Sequence, residues 1–220
     1  MLPLQKLTDA VIGLSREVAA FIRTESVRFT EASVESKSLN NLVSYVDKGA
    51  EQRFVDGLST LLPEAGFIAE EGTGTRGAEL NWVIDPLDGT TNFIHGIPCY
   101  CTSVALMHGN DVLLGVVLEV TRNECFSAWK GGGARLNGTA IRVSARKTLL
   151  ESLLATGFPY DDFGREAQYM ELLRALMHNS RGIRRLGLVC GFGALASAGL
   201  MIGWSLAGGS TERLYLGTDT

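Results

Sequence analysis

Basic charge is scarce in this chain. Its 220 residues hold 20 Lys and Arg against 24 Asp and Glu, for a net charge of -4 and a pI near 5.5. That shortage argues against nucleic acid as a partner, which needs a basic patch. Cysteine is equally thin. Cys99, Cys101, Cys125 and Cys190 have no zinc-like spacing, and Cys99 and Cys101 alternate along one expected strand, so packed, reduced thiols are expected rather than a disulfide. Residues 1–30 lack the unbroken apolar run of a signal peptide, because charges interrupt it; the cytoplasm is the expected compartment. Gly131, Gly132 and Gly133 lack the strand-to-helix Lys-Ser/Thr context of a phosphate loop. His95 stands alone and is read as a structural hydrogen-bonder, not a metal ligand. From Leu188 to Ser210 there is no charged residue at all.

What is present centres on residues 82–93. Trp82, Val83 and Ile84 form an apolar run that reads as a buried strand. Pro86 and Gly89 then demand a turn, and Thr90, Thr91 and Asn92 are candidate N-caps for a helix. Asp85 and Asp88 are thereby brought into one small space. Two adjacent carboxylates repel unless a cation lies between them, and carboxylate and carbonyl oxygens suit Mg²⁺. The N–H groups of a helix start suit a phosphate. An ordinary Asx turn, its acids only capping a helix, explains the same residues, and the turn alone does not separate the two readings.

Two further strand-like runs end in acids: Phe67 to Ala69 before Glu70 and Glu71, and Leu42 to Val46 before Asp47. Together these pieces resemble the inositol monophosphatase family of Mg²⁺-dependent, lithium-sensitive phosphatases. The D-P-[LI]-D-G-T-x-N-F box is matched from Asp85 to Phe93, the G-E-E segment by Ala69, Glu70 and Glu71, and L-V-T-x-x-D by Leu42 to Asp47. The first box is long and specific. The resemblance is read from near the N-terminus to Gly187.

Taken in order, Leu4, Leu7, Val11, Leu14, Val18, Phe21 and Ile22 make one apolar stripe of a long amphipathic helix. Residues 24–38 read as a polar loop. Lys37 in that loop reads as a solvated surface residue, although the family has a Lys near the catalytic entrance there. Asp47 opens a second helix with Ala50, Phe54, Leu58 and Leu61 inward, and could be its N-cap. Residues 72–77 read as a flexible turn. Thr102–Met107 and Val112–Glu119 read as a hairpin, Glu124–Trp129 as the next strand, and Asn137-Gly138 as the strongest hairpin dipeptide. The family's usual Pro after the G-V-V run is replaced by Val120 or Thr121. A strand over 153–158 and a helix over 163–178, with Tyr169, Met170, Leu172, Leu173 and Leu176 inward, precede a strand over 182–186. These elements imply a layered α/β or α+β architecture, and the resemblance implies the family's α-β-α-β-α sandwich, incomplete at the C-terminus.

The domain expected is 1–187, followed by an atypical apolar tail over 188–220. The family's G-S-A-A, G-R-x-D-G and W-D segments, the last carrying a metal-binding Asp, are missing there. The tail reads as a buried helix, as a membrane span (the least favoured), or as a shifted reading frame. Codons permitted by residues 204–212, read from their third base, spell V-A-C-G-R-F-D-G, close to the family's V-A-x-G-R-x-D-G.

The resemblance implies a phosphomonoesterase that hydrolyses inositol 1-phosphate with metal-activated water. Glu70, Asp85, the Leu87 carbonyl and Asp88 would bind Mg²⁺, with Glu70 also counted in the catalytic set. Thr90, held by Asp47, would orient the water, and the Gly89 and Thr90 N–H groups would hold the phosphate. It also implies a homodimer. A sugar-phosphate or nucleotide phosphatase is the alternative within the enzyme class; a catalytically impaired, non-enzymatic partner on the same scaffold is the alternative outside it.

Overall fold

The architecture follows from where the apolar stripes can be buried. A computed structural model of the chain describes residues 2–29, 34–38, 41–142, 145–158 and 163–184. The N-terminal stripe forms helix α1 (Leu4–Arg28), with Leu7, Val11, Val18 and Ile22 buried. The polar composition had suggested a loop over 24–38, but the helix runs through residues 24–28 and residues 34–38 form a strand. Thr24 Oγ1 donates to the Ala20 carbonyl at 2.9 Å and Ser26 Oγ to that of Arg23 at 2.9 Å, so the polar side chains bond back onto the helix. A short hairpin follows, β1 (Val34–Ser38) with β2 (Asn41–Ser44); Lys37 lies in β1. Helix α2 (Tyr45–Leu61) begins two residues before Asp47. Its N-cap is Ser44, and Asp47 is the third helical residue, completing a capping box. Val46, Ala50, Phe54 and Leu58 are buried on its inner face. A Cβ on Gly57 would come within 2.7 Å of the Leu14 methyls, so a side chain there would separate α2 from α1.

Seven strands form the main sheet, in the order β3-β4-β5-β6-β7-β8-β9. They are β3 (Gly66–Ala69), β4 (Leu80–Asp88), β5 (Cys101–His108), β6 (Asp111–Glu119), β7 (Glu124–Trp129), β8 (Gly133–Leu136) and β9 (Thr139–Ile141). β3 and β4 are parallel; every other neighbouring pair is antiparallel. Successive side chains of β4 point to opposite faces. Trp82 and Ile84 join the core formed with α1 and α2, whereas Val83 joins a smaller cluster with Cys101, Ala105, Val117 and Phe126. Fully burying a side chain such as Ile84 or Phe54 contributes roughly 1.5–3 kcal/mol. The expected hairpins form: Asn137 (φ 49°) and Gly138 (φ 84°) both take the left-handed conformation that a tight two-residue turn requires. Cys99 lies ahead of β5 rather than on it, so only Cys101 of that pair is a strand residue; neither forms a disulfide, nor does Cys125.

Beyond β9, a parallel pair β10 (Leu153–Ala155) and β11 (Gly182–Arg184) is linked through helix α4 (Glu166–Asn179). β10 ends three residues earlier than the composition implied. Of the five residues expected to face inward on α4, only Tyr169 is buried; Met170 and Leu172 are exposed, and Leu173 and Leu176 are half-buried. Among the described residues α4 packs mainly on β11 and the turn at residues 149–151, which covers too narrow a strip for the whole stripe. Arg185 to Gly187, Cys190 and the 188–220 tail, with the membrane span it could form, lie outside the described residues. Among those described, no helix is long and apolar enough to cross a membrane.

Candidate metal and phosphate site

Four elements converge at the C-terminal end of β4. The strand runs through Pro86, with a register shift against β5 between Asp85 and Asp88. Gly89 then turns the chain with φ 90°, and a Cβ there would lie 3.0 Å from the Cys99 carbonyl oxygen, so both backbone angle and space select glycine. Gly89 is the N-cap of helix α3 (Thr90–Ile94), and no side chain caps it. Thr90 is therefore the first helical residue rather than a cap. Asn92 instead donates through Nδ2 to the Cys99 carbonyl at 2.8 Å, tying down the loop that follows. His95 ends α3 and is exposed. The Gly89 and Thr90 N–H groups lie where a helix start has no intrahelical acceptor to offer.

Asp47 reaches this turn from α2. Its Oδ2 accepts from the Ser44 N–H at 2.9 Å and the Ser44 hydroxyl at 2.6 Å. The Thr90 hydroxyl lies 2.8 Å from Asp47 Oδ1 and 2.9 Å from the Leu87 carbonyl oxygen, sharing one proton between two acceptors. Thr90 thus sits between a residue of α2 and the last turn of β4.

Asp85 has the opposite environment. Its Oδ1 is enclosed and has no hydrogen-bond partner. Enclosure pushes its pKa well above the usual carboxylate range, and the nearby charges of Asp88 and Glu70 and a hydrogen bond to Glu70 push it further. The structure thus brings Glu70, Asp85 and Asp88 into electrostatic contact. Among the described residues, no group of three or more His, Cys, Asp or Glu side chains is placed to hold a metal ion as it stands. The Cys101 thiol donates to Asp88 Oδ2 at 3.8 Å. Three mutually repelling carboxylates, one with an orphaned oxygen, fit a divalent cation with hard oxygen preferences.

The loop after β3 is not the loose turn its glycines suggested. Phe67 N donates to the Thr75 carbonyl at 2.9 Å, and Gly77 N to Asn81 Oδ1 at 2.7 Å. Gly66 and Gly77 pack so closely that a Cβ on Gly66 would lie 1.9 Å from Gly77 N. Glu51, fully buried on α2, accepts from the Glu71 N–H through Oε2 and the Thr73 N–H through Oε1, each at 2.7 Å. Sequence reading passed over Glu51. Its signal was positional only: one helical turn after Asp47 and beside the inward Ala50 and Phe54.

The sequence model of the Inositol monophosphatase family matches residues 3–208, past Gly187. A Pseudomonas aeruginosa protein named Nus factor SuhB is 40% identical over 193 residues, covering 84% of this chain and 70% of that protein. A Rhizobium meliloti inositol-1-monophosphatase is 41% identical over 157 residues, 70% of this chain and 59% of that protein. Among solved structures, the extragenic suppressor protein suhB of Bartonella henselae superimposes with a TM-score of 0.80 at 31% identity, covering 86% of this chain and 74% of that one.

Proposed function

This chain belongs to the inositol monophosphatase family, and on that premise we propose that it is a Mg²⁺-dependent phosphomonoesterase acting on inositol 1-phosphate. The observation that carries the reading is the enclosed, unpartnered Asp85 oxygen beside Glu70 and Asp88. Glu70, Asp85, the Leu87 carbonyl and Asp88 would hold the metal. Bound Mg²⁺ supplies positive charge against the phosphoryl and leaving oxygens and acidifies water. Asp47 accepts the Thr90 proton, so the Thr90 oxygen keeps a lone pair to orient a water for in-line attack. The Gly89 and Thr90 N–H groups receive phosphate oxygens. Glu70 is the most exposed of these acids and the one open to solvent.

Phosphate release from inositol 1-phosphate, set beside sugar phosphates and nucleotides, each with Mg²⁺ and with EDTA, tests the reading. Mg²⁺-dependent release from inositol 1-phosphate is the expected result; faster release from another ester reassigns the alcohol. The names of the relatives favour a second reading. The Pseudomonas protein carries the name of a Nus factor, so a scaffold acting through a macromolecular partner, with slow or no turnover, is the competing function. Metal binding without phosphate release would favour it. The cytoplasmic location and homodimeric state belong to the same proposal. For the tail we retain a shifted frame after about Gly187; coding DNA with no G-R-F-D-G in another frame overturns it.

A further inference from the structure

Asp47 and Glu51 are four residues apart on α2, one helical turn, and both are buried on its inner face. Each carboxylate leaves the helix to hold a different part of the site. Asp47 holds Thr90 at the start of α3. Glu51 holds the backbone of the loop after β3, at the residue immediately after Glu70 and again at Thr73. We propose that Glu51 is a positioning residue: its two-pronged grip on the Glu71 and Thr73 N–H groups sets where Glu70 meets Asp85. One helical turn of α2 then fixes the spacing between the proposed water-orienting and metal-binding halves of the site. The inference rests on the metal reading above.

The chemistry explains why a glutamate is required. A carboxylate offers two acceptor oxygens and no donor, matching two converging N–H groups. Hydrogen bonds to an ionised acceptor are the strong kind, and 2.7 Å is a charge-assisted length. Glu70 itself is exposed, so its own packing cannot fix its position. Gly72 (φ 85°) and Gly74 (φ 122°) give the loop backbone conformations that other residues rarely adopt, and neither carries a side chain that could hold it in place. The anchor must come from outside the loop, and Glu51 supplies it from a rigid helix.

Glu51→Gln keeps size and burial but replaces one acceptor oxygen with an amide NH₂ that faces an N–H group. Two measurements on the full chain test the proposal: backbone hydrogen exchange at Glu71 and Thr73 without metal, and calorimetric titration with Mg²⁺ alone. Wild type is expected to protect both amides to about the level of α2. Glu51→Gln is expected to lose that protection and to raise the Mg²⁺ dissociation constant roughly 10- to 100-fold, the usual effect of removing a group that orients a ligand. Phe54→Leu, a core change on the same helix that removes no hydrogen bond to the loop, is expected to lower the melting temperature and leave Mg²⁺ affinity unmoved. Mg²⁺ binding by Glu51→Gln as tight as wild type, or weakened only as much as in Phe54→Leu, overturns the inference alone. Unprotected Glu71 and Thr73 amides in wild type overturn it even if the variant does not fold. Absence of Mg²⁺ binding by wild type overturns the metal reading and this inference with it.

Discussion

The α2 wall of the site and the β4 wall are both acidic, and they treat their acids in opposite ways. On α2, Asp47 accepts from the Ser44 N–H and from the Ser44 and Thr90 hydroxyls, and Glu51 accepts from two backbone N–H groups. These carboxylates are buried but satisfied by the protein. At the end of β4, Asp85 has an enclosed oxygen with no donor and like charges on two sides. Burying a carboxylate oxygen without a donor is costly, and here only the other oxygen is left for the Leu87 backbone N–H and Glu70. On the proposed metal reading, the difference separates acids that hold the architecture from acids that would bind a cation.

The sharpest way to break that comparison is to remove an acid from the β4 wall. Asp88→Asn should abolish Mg²⁺-dependent phosphate release while the metal-free protein melts no lower than wild type, because carboxylate repulsion is relieved. Turnover and melting temperature are measured on one preparation; full turnover at saturating Mg²⁺ would remove Asp88 from the metal site. An acid taken from the α2 wall should behave differently. Asp47→Ala should slow turnover roughly 10- to 100-fold by freeing Thr90. It should also destabilise the protein by roughly 1–3 kcal/mol, because the buried Ser44 N–H loses its acceptor. A variant as stable as wild type would show that the α2 acids are not structural.

Mg²⁺ should act at Glu70, Asp85 and Asp88 rather than at the saturated α2 acids. At about 100 times its dissociation constant it should stabilise the fold by about 2.7 kcal/mol, or roughly 5–10 °C in a chain of this size. Identical melting in EDTA and in excess Mg²⁺ would return the acids to a capping role. The smallest effect is in pH. The Asp85 carboxyl ionises near 3.8 in the unfolded chain but well above that when folded. Its contribution to stability is therefore present at low pH and lost as pH rises through the raised folded value. Metal-free wild type should lose stability relative to Asp85→Asn over that interval, and Mg²⁺ should remove the difference. Parallel melting curves across pH would mean that Asp85 is not strained by its neighbours.

Much of this was readable without coordinates. The 82–93 box marks both the strand and the acidic turn, since β-branched and aromatic residues followed by Pro86 and Gly89 have few other ways to fold. The Asn137-Gly138 hairpin and the α1 stripe are legible for the same local reason. The start of α2 was misread because Ser44 and Asp47 both cap well, and only the geometry shows that Ser44 occupies the cap while Asp47 bonds back to it. The 72–77 turn looked loose because its anchors, Glu51 and Asn81, are distant in the chain or contact it only once it is folded back.

The sequence by itself therefore determined the family, the acids and most of the helices and strands, though not β1 or β8, because these depend on residue type, short spacing and periodicity. Only the tertiary structure decided which acids are saturated and which are left wanting, that α4 fully buries only Tyr169 of its expected inner face, and that Glu51 grips the loop carrying Glu70. Those facts depend on hydrogen bonds that span twenty residues or more and on which surfaces come to cover one another, and neither is written in any local stretch of the chain.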